Sequence, residues 1–292
     1  MEKPQFVIGI GSQRAGSTLL HRILDECTNI FMHPVKELHY FDTLYNVRHQ
    51  DVLTKYSRKQ VDRELERIIS TNEHGYLKSK KYKCYLRANK LLANQAIKNI
   101  DYLDLYRPCL MGNEKVGEIT PEYMILPEEG VKQLAKAVGK ESKIILIARN
   151  PTERFLSAFK LLKVYNGEGF EPETFEKMLV ETMADSKEWM KQQDSLNDYQ
   201  NMLKNYKKYF SNVLFLSYDN IVSQGDKTHL ELEEFLGTPV DKTKYLQMLT
   251  KKVNAIGETG IVSSETRNIL NKRYELQIAF LNSYFGKENC VL

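Results

Sequence analysis

The chain has 292 residues, of which 42% are hydrophobic and 27% are charged, and its formal net charge is +4. This length and composition are typical of one elaborated globular domain and exclude a disordered or fibrous chain. The small positive charge does not indicate a nucleic-acid-binding protein, which usually presents a concentrated basic face, but it suits a small anionic ligand.

The first residues predict a strand, a glycine loop and a helix. Residues 5–11 form a continuous apolar run that ends in glycine, as expected for a buried strand of a parallel sheet. Beyond the loop, apolar side chains recur at the spacing of one helix face, at Leu19, Leu20, Ile23, Leu24 and Cys27. This order is the opening unit of an α/β fold.

The same alternation continues along the chain. Apolar runs predict further strands at residues 30–33, 116–120, 143–149 and 212–219. Amphipathic patterns predict helices around residues 58–70, 89–100, 129–138, 173–191 and 198–210, after Pro151, before Gly237 and over residues 270–285. We therefore expect a P-loop-like, three-layer α/β fold with a mostly parallel sheet of about five strands flanked by helices. We also expect a single domain over residues 1–292, with helical insertions and a helical C-terminal part.

Cysteine spacing and hydropathy point to neither a metal centre nor export. The four cysteines, Cys27, Cys84, Cys109 and Cys290, show no CxxC spacing, which predicts reduced thiols and no zinc site. The N-terminal apolar run is too short for a signal peptide, and no later segment approaches the length of a membrane span. We expect a cytoplasmic protein, whose oligomeric state the sequence does not indicate.

The segment GIGSQRAGST resembles a phosphate-binding loop without its lysine. Gly11, Gly16 and Thr18 match the motif GxxxxGK[ST], whereas Ser17 stands at the lysine position. Backbone N–H groups and the positive end of the following helix dipole suit a phosphate, and Arg14 adds a cation. The alternative is a tight turn capped by Ser17.

Two later segments place polar side chains at predicted strand ends. Lys36, Glu37 and His39 follow the second predicted strand, while Arg149 ends a later strand and Ser157 lies in the next helix. A carboxylate in a cationic site is a candidate general base, and the arginine and serine suit a second phosphate group. Taken singly, these side chains also fit surface charges, an ion pair and a helix filler. Together and in this order, they indicate a site.

As a set, these segments resemble the sulfotransferases that use 3′-phosphoadenosine-5′-phosphosulfate (PAPS), particularly the branch of heparan sulfate sulfotransferases and many bacterial relatives. KELHYFD at residues 36–42 is similar to that family's KExHFFD-like segment, and RNPTERFLS at residues 149–157 to its RNPxERxxS segment. GEITPEYM at residues 117–124 is similar to EKTPxYF, and LEEFLG at residues 232–237 to LxxFLG. The resemblance runs from about residue 5 to the C-terminus.

The resemblance implies in-line sulfuryl transfer from PAPS to a hydroxyl or amine acceptor, with no metal ion required. It implies Glu37 as the catalytic base and Arg149 and Ser157 as ligands of the 3′-phosphate, and we expect Arg14 to stabilise the leaving 5′-phosphate. The residues implied to bind the 5′-phosphosulfate lie on the first loop: Gln13, Arg14, Ala15, Gly16, Ser17 and Thr18. His39 is the alternative base, although its aromatic neighbours favour a packed histidine.

Two positions depart from the family's pattern. Ile119 stands where heparan-modifying members have lysine, which argues against a heparan-like acceptor. Residues 256–258, Ile-Gly-Glu, stand where those members carry a Lys-Gly-Arg loop, so Lys251, Lys252 or backbone groups would have to take over part of the nucleotide contact.

The acceptor side is less defined by the sequence. Residues 75–87 interleave lysines with tyrosines, which suits either an acceptor mouth or an ordinary solvated surface. Our candidate acceptor-binding residues are Lys36, His39, Glu118 and Tyr82, for a saccharide or a small phenolic or alcohol metabolite. A P-loop nucleotide or small-molecule kinase, against which Ser17 argues, and a non-catalytic nucleotide-binding module stay open as alternatives.

Overall fold

The computed structural model describes residues 4–72, 75–107, 109–110, 112, 115–165, 167, 173–250 and 262–286. The strands in these residues are β1 (Gln5–Gly11), β2 (Phe31–Met32), β3 (Lys115–Ile119), β4 (Lys143–Ala148) and β5 (Asn212–Ser217). They form one five-stranded sheet in the order β2-β3-β1-β4-β5, and every neighbouring pair is parallel. The predicted α/β fold with a parallel sheet of about five strands is confirmed.

The helices occupy the connections between the strands and the C-terminal part. Their bounds are α1 (Ser17–Cys27), α2 (Tyr40–Leu44), α3 (Gln50–Ser70), α4 (Lys80–Asn94), α5 (Tyr102–Tyr106), α6 (Glu128–Val138), α7 (Pro151–Tyr165), α8 (Phe175–Asp185), α9 (Lys187–Ser195), α10 (Tyr199–Lys207), α11 (Tyr218–Ser223), α12 (Gly225–Leu236), α13 (Lys242–Leu249), α14 (Ser264–Arg273) and α15 (Glu275–Phe285). Within the described residues, no helix combines the length and the apolar character that crossing a membrane requires.

Several helix bounds differ from the sequence prediction. The pattern over residues 173–191 predicts one helix, but Ser186 has φ −96° and ψ 64° and separates α8 from α9. The helix predicted at residues 89–100 begins instead at Lys80, because the Ser79 side chain accepts a hydrogen bond from the Tyr82 N–H as an N-cap. Tyr274 similarly divides the predicted C-terminal helix into α14 and α15.

Apolar side chains cover both faces of the sheet. Along β1, Phe6 and Ile8 belong to a core with α2–α6, α10 and α15, whereas Val7 belongs to a second core with α1, α11, α12 and α13. This division follows from the strand, whose successive side chains point to opposite faces. A third cluster joins α7, α8, α9 and α14 around Phe155 and Phe159, and Trp189 packs against it. Because all five strands are parallel, their carboxyl ends lie at one edge of the sheet.

Two of the four cysteines lie next to each other. Cys84 and Cys109 are buried, with Cα atoms 6.2 Å apart, a separation that a disulfide can bridge. Their separation of 25 residues carries no sequence signal, because packing of α4 against α5 brings them together. Cys27 is a buried free thiol, and Cys290 lies outside the described residues.

Candidate active site

Residues 11–18, named here the donor loop, leave the sheet at its centre. They follow β1, which lies between β3 and β4, so the loop stands at the carboxyl edge where ligands of parallel sheets bind. The Ser12 N–H donates to the Ile147 carbonyl at 2.8 Å, and the Ser12 hydroxyl donates to the Leu196 carbonyl at 2.7 Å. These two bonds fix the start of the loop to β4 and to the turn after α9.

Gly16 lies in the donor loop immediately before the first residue of α1. Its φ of 98° lies in the left-handed region, and a Cβ atom there would stand 2.5 Å from Cδ2 of Tyr218. Both the backbone conformation and the ring therefore require glycine. Because glycine supplies no capping side chain, the helix start presents its N–H groups and the positive end of its dipole to a ligand at the strand edge.

The donor loop and helix α7 bring cationic groups together. Arg14 Nε donates to Ser157 Oγ at 2.9 Å, and Arg149 Nη1 donates to the Arg14 carbonyl at 3.3 Å. The Arg149 guanidinium also lies over the Tyr218 ring, 5.3 Å from its centroid. Lys160 stands one turn after Ser157, and burial and the charges of Arg149 and Arg14 lower its pKa. The sequence analysis did not select Lys160, although its spacing from Ser157 places both on one helix face.

Arg154 supports the donor loop from the interior of the protein. This arginine is fully buried and donates to Gln193 Oε1 at 3.1 and 3.0 Å and to Asn197 Oδ1 at 2.6 Å. Its Nη1 also reaches the Gln13 carbonyl at 3.4 Å. The sequence analysis missed this residue. An arginine within the apolar pattern of α7 was the available signal, since a buried charge needs polar partners.

Lys36 connects the base segment, defined as residues 36–42, with the donor loop. Its ammonium lies 2.5 Å from Glu37 Oε1 and 3.4 Å from Ser17 Oγ. The Glu37 side chain is 33% exposed, so part of it is accessible from outside, and Lys36 links it to the start of α1. The structure thus brings together Lys36, Glu37 and Ser17, which come from two segments separated in the sequence.

His39 stands between two carboxylates. Its Nδ1 lies 2.7 Å from Asp42 Oδ2, and its Nε2 lies 3.4 Å from Glu37 Oε2. Burial lowers the pKa of His39, but Glu122, Asp42 and Glu37 outweigh burial and raise it to about 10. Burial alone would raise the pKa of Glu37, but the hydrogen bond to His39 and the charge of Lys36 hold it well below its ordinary value. At neutral pH the carboxylate is therefore ionised and the imidazole protonated.

Glu122 is a second buried carboxylate at this site that the sequence analysis did not select. Its Oε1 accepts a hydrogen bond from Gln13 Nε2 at 3.2 Å and lies 3.9 Å from Arg48 Nη1. Its Oε2 is buried without a hydrogen-bond partner and lies 3.9 Å from His39 Nδ1. Burial and the neighbouring carboxylates raise the pKa of Glu122, while His39 and Arg48 oppose the rise. This carboxylate links the donor loop to the base segment.

The family follows from the sequence as a whole. Residues 4–242 match the model of the Sulfotransferase family. The chain belongs to the sulfotransferase family. The predicted family resemblance is therefore confirmed. A comparison with curated proteins found no match.

Solved structures of sulfotransferases share the fold. A sulfotransferase from Alicyclobacillus acidocaldarius is 17% identical, with a TM-score of 0.61, and the match covers 97% of this chain and 96% of that one. A sulfotransferase from Mycobacterium avium is 12% identical, with a TM-score of 0.52, and the match covers 100% of this chain and 79% of that one. At these identities the likeness establishes the architecture, including the P-loop-like first unit.

The remaining predicted residues of this sulfotransferase take up different positions. On the donor loop, the Ala15 side chain packs into the core beside α1, and Thr18 lies in the first turn of α1. Glu118 is fully buried and reaches no open surface. Tyr82 lies on α4, where its hydroxyl donates to Glu64 Oε2 at 2.9 Å on α3, so its contact is with the α3–α4 pair rather than with the donor loop or the base segment. Residues 251, 252 and 256–258 lie outside the described residues.

Among the residues that the structure describes, one group of side chains has the spacing of potential metal ligands. Glu37, His39 and Glu122 each offer one ligand atom, and these atoms lie within 4.8 Å of one another. The carboxylates of this region, including Asp42, already face the positive charges of Lys36, His39 and Arg48. The charges of these described side chains therefore largely compensate one another.

Proposed function

We propose that this sulfotransferase moves a sulfuryl group from PAPS to a hydroxyl or amine acceptor, with Glu37 as the general base. The observation that carries the proposal is the position of Lys36, which touches both Glu37 and Ser17. A carboxylate thereby stands opposite a helix N-terminus suited to a phosphate. This juxtaposition supplies the base and the leaving-group site that an in-line displacement requires.

The donor would use both cationic parts of the site. Its 5′-phosphosulfate would contact Gln13, Arg14, Ala15, Gly16, Ser17 and Thr18 on the donor loop. Its 3′-phosphate would contact Arg149 and Ser157, with Lys160 as an additional cation. The close contacts among Arg14, Arg149 and Ser157 support this placement, since a bisphosphate needs two anion sites on one surface.

In the proposed reaction, the acceptor oxygen attacks the sulfur as the bond between sulfur and the phosphate oxygen breaks. The acceptor proton passes to Glu37, and adenosine 3′,5′-bisphosphate leaves with the electron pair of the broken bond. Arg14, Lys36 and the backbone N–H groups at the start of α1 stabilise the negative charge that develops on the leaving phosphate. A sulfuryl group carries less charge than a phosphoryl group, so this chemistry does not require a metal ion.

His39 would keep Glu37 ready for proton transfer. Its protonated ring contacts the carboxylate at Nε2, while Asp42 fixes the ring through Nδ1. A carboxylate held in this way stays ionised and keeps its orientation before the acceptor binds. His39 therefore serves Glu37 in this proposal, instead of acting as the base itself.

For the acceptor we propose a small phenolic or alcohol metabolite or a saccharide. Lys36 and the edge of His39 border the partly exposed face of Glu37, and the lysine-rich start of α4 lies beside α1, where Lys81 contacts Asp25 at 2.5 Å. The family assignment does not favour a kinase or a non-catalytic nucleotide-binding module. A cytoplasmic location and a single domain over the whole chain remain predictions.

A thermal-shift titration tests the donor assignment. Adenosine 3′,5′-bisphosphate should raise the melting temperature in a concentration-dependent way, because a ligand that binds only the folded state stabilises it. ADP lacks the 3′-phosphate and should give a smaller shift at equal concentration. Stabilisation by magnesium-ATP alone would contradict the donor assignment.

An assay with 35S-labelled PAPS tests the reaction. The label should move to at least one member of a panel of phenols, alcohols, amines and saccharides, and the transfer should persist in EDTA. Binding of the bisphosphate without transfer to any acceptor class would oppose the proposed activity while leaving the donor site in place.

A further inference from the structure

The base segment has an unusual backbone at its centre. His39 adopts φ 50° and ψ 36°, a left-handed conformation that a residue with a Cβ atom rarely takes. This conformation turns the chain into α2 and leaves Glu37 and His39 side by side. Such a backbone persists only where surrounding contacts fix it.

Three hydrogen bonds fix the backbone around His39. The Ile119 N–H donates to the Lys36 carbonyl at 3.0 Å, and the Leu38 N–H donates to Glu118 Oε2 at 3.0 Å. The Tyr40 N–H donates to the Tyr123 hydroxyl at 3.2 Å. The partners of Lys36, Leu38 and Tyr40 all come from the end of β3 and the short 3₁₀ helix that follows it. The base segment therefore depends on residues about 80 positions later in the chain.

Glu118 is the centre of this set of contacts. It is fully buried, and its Oε1 accepts hydrogen bonds from the hydroxyls of Tyr102 at 2.6 Å and Tyr123 at 3.1 Å. Its Oε2 accepts from the Thr120 hydroxyl at 2.7 Å as well as from the Leu38 N–H. Because four donors occupy both oxygens, this carboxylate has no face left for an acceptor molecule.

We infer that Glu118 is a positioning residue that holds Glu37 opposite the donor loop by fixing the backbone on both sides of His39. It bonds directly to the Leu38 N–H and acts on the Tyr40 N–H through the Tyr123 hydroxyl. Its catalytic consequence rests on the proposed function of Glu37, whereas its effect on the backbone does not. Glu118, which the sequence analysis predicts to bind an acceptor, thus holds the backbone that carries the proposed base.

The donors around Glu118 differ in their freedom to find another partner. The tyrosine and threonine hydroxyls rotate and act as donors or acceptors, but the Leu38 N–H is a fixed donor. Glutamine at position 118 keeps one oxygen for this N–H, while its NH2 group donates to the tyrosine hydroxyls. Methionine has a similar length but no comparable acceptor, so it leaves the N–H without its partner.

The difference between the fixed Leu38 N–H and the rotatable hydroxyls determines which variants test the inference. Glu118→Met removes the acceptor, and Glu118→Gln is the conservative variant expected to restore it. Tyr123→Phe removes the acceptor of the Tyr40 N–H and keeps the carboxylate. Tyr106→Phe is the matched control, because Tyr106 is equally buried and its hydroxyl bonds to that of Tyr102 without touching the base segment.

Three readouts are measured on each full-length variant: kcat with PAPS, the Kd of adenosine 3′,5′-bisphosphate, and hydrogen exchange at the amides of Leu38 and Tyr40. For Glu118→Met we expect exchange at Leu38 to accelerate by at least about 10-fold and kcat to fall by about 100-fold. The Kd should change by less than about 2-fold, because the donor loop keeps its own anchoring bonds. Glu118→Gln should recover most of both losses, Tyr123→Phe should accelerate exchange at Tyr40, and Tyr106→Phe should match the parent protein.

Unchanged exchange and kcat in folded Glu118→Met would overturn the inference, as would an equal loss of kcat in Tyr106→Phe. If Glu118→Met does not fold, Tyr123→Phe decides: unchanged exchange at Tyr40 together with normal kcat overturns it. If the parent protein transfers no sulfuryl group from PAPS, the proposed function fails, while the exchange measurements still decide whether Glu118 fixes the segment.

Discussion

The donor side and the base side of the site are built in different ways. The donor loop forms from eight consecutive residues, and its glycine conformation and helix start are local properties. The base segment instead takes its shape from Glu118 and Tyr123, which belong to a different strand and helix. The donor loop therefore carries recognisable signals in its own sequence, whereas the base segment depends on distant residues for its conformation.

The two sides also differ in charge. Around the donor loop, Arg14, Arg149 and Lys160 lie near one another, and an anion bound there would relieve their mutual repulsion. Around the base segment, carboxylates alternate with Lys36 and His39, so that the charges compensate each other within the protein. We expect substitutions on the donor side to change binding and substitutions on the base side to change turnover.

The largest effect should come from Glu37→Gln. Loss of the base should lower kcat by roughly 10² to 10⁴-fold, the usual contribution of general base catalysis. The Kd of adenosine 3′,5′-bisphosphate should stay nearly unchanged, since the amide keeps the shape of the side chain. Steady-state kinetics measures kcat, and calorimetry measures the Kd. Glu129→Gln, on the exposed surface of α6, is the control, and normal turnover in Glu37→Gln would remove this residue from the base role.

Arg14→Ala should give the next largest effect, on binding. Removal of a charged partner of a phosphate should raise the Kd of the bisphosphate by roughly 10- to 100-fold, as for a hydrogen bond to an ionised group. Arg22→Ala is the matched control, because Arg22 lies on α1 but pairs with Glu26 at 3.0 Å on the outer side. A fall in kcat with an unaltered Kd would contradict the division between the two sides.

The pH dependence should distinguish the base side from the donor side. The pKa of His39 is raised to about 10, so its protonated form supports Glu37 at neutral pH and is lost as the pH rises through that value. The stability that the ring contributes to the folded state is complete below its unfolded pKa of about 6.5. This stability decreases as the pH rises from there and is lost once the pH passes the folded pKa of about 10. We therefore expect kcat/KM to fall as the pH approaches 10.

His39→Gln sharpens this test. The pH–rate profile of the variant should lose the alkaline fall that deprotonation of the imidazole causes. The acid side of the profile should move to higher pH, because Glu37 loses a hydrogen bond and a positive neighbour that hold its pKa low. Rate profiles of both proteins between pH 3 and 10.5 are the measurement, with bisphosphate binding followed in parallel. Identical profiles would show that His39 does not control the ionisation of Glu37.

The smallest effect should come from Ser157→Ala. A neutral hydroxyl contributes little net energy, so the Kd of the bisphosphate should rise by only about 2- to 10-fold, with kcat unchanged. Ser223→Ala, which removes an exposed hydroxyl on α11, provides the control for calorimetry. An effect as large as that of Arg14→Ala would mean that Ser157 acts mainly by orienting Arg14, to which it bonds at 2.9 Å.

The same contrast explains what the sequence predicts. The strands and the donor loop are predictable because apolar runs and glycine spacing are local signals. The proximity of Cys84 and Cys109 is not, since it depends on the packing of α4 against α5. The role of Glu122 is hidden for the same reason: only the fold brings this carboxylate between Gln13 and His39. Glu118 is a candidate from the sequence, but two of its four donors, the Tyr102 hydroxyl and the Leu38 N–H, come from other segments of the chain.

The sheet order has a consequence for the synthesis of the protein. Strand β1 is central, and the donor loop that follows it takes its fixed shape from Ile147 on β4 and from the Tyr218 ring beside Gly16. Tyr218 is translated roughly 200 residues after Gly16, which at about 5 to 20 residues per second is a delay of roughly 10 to 40 s. The donor loop therefore leaves the ribosome well before the two residues that fix its final form, and it should bind the bisphosphate only after they have been synthesised.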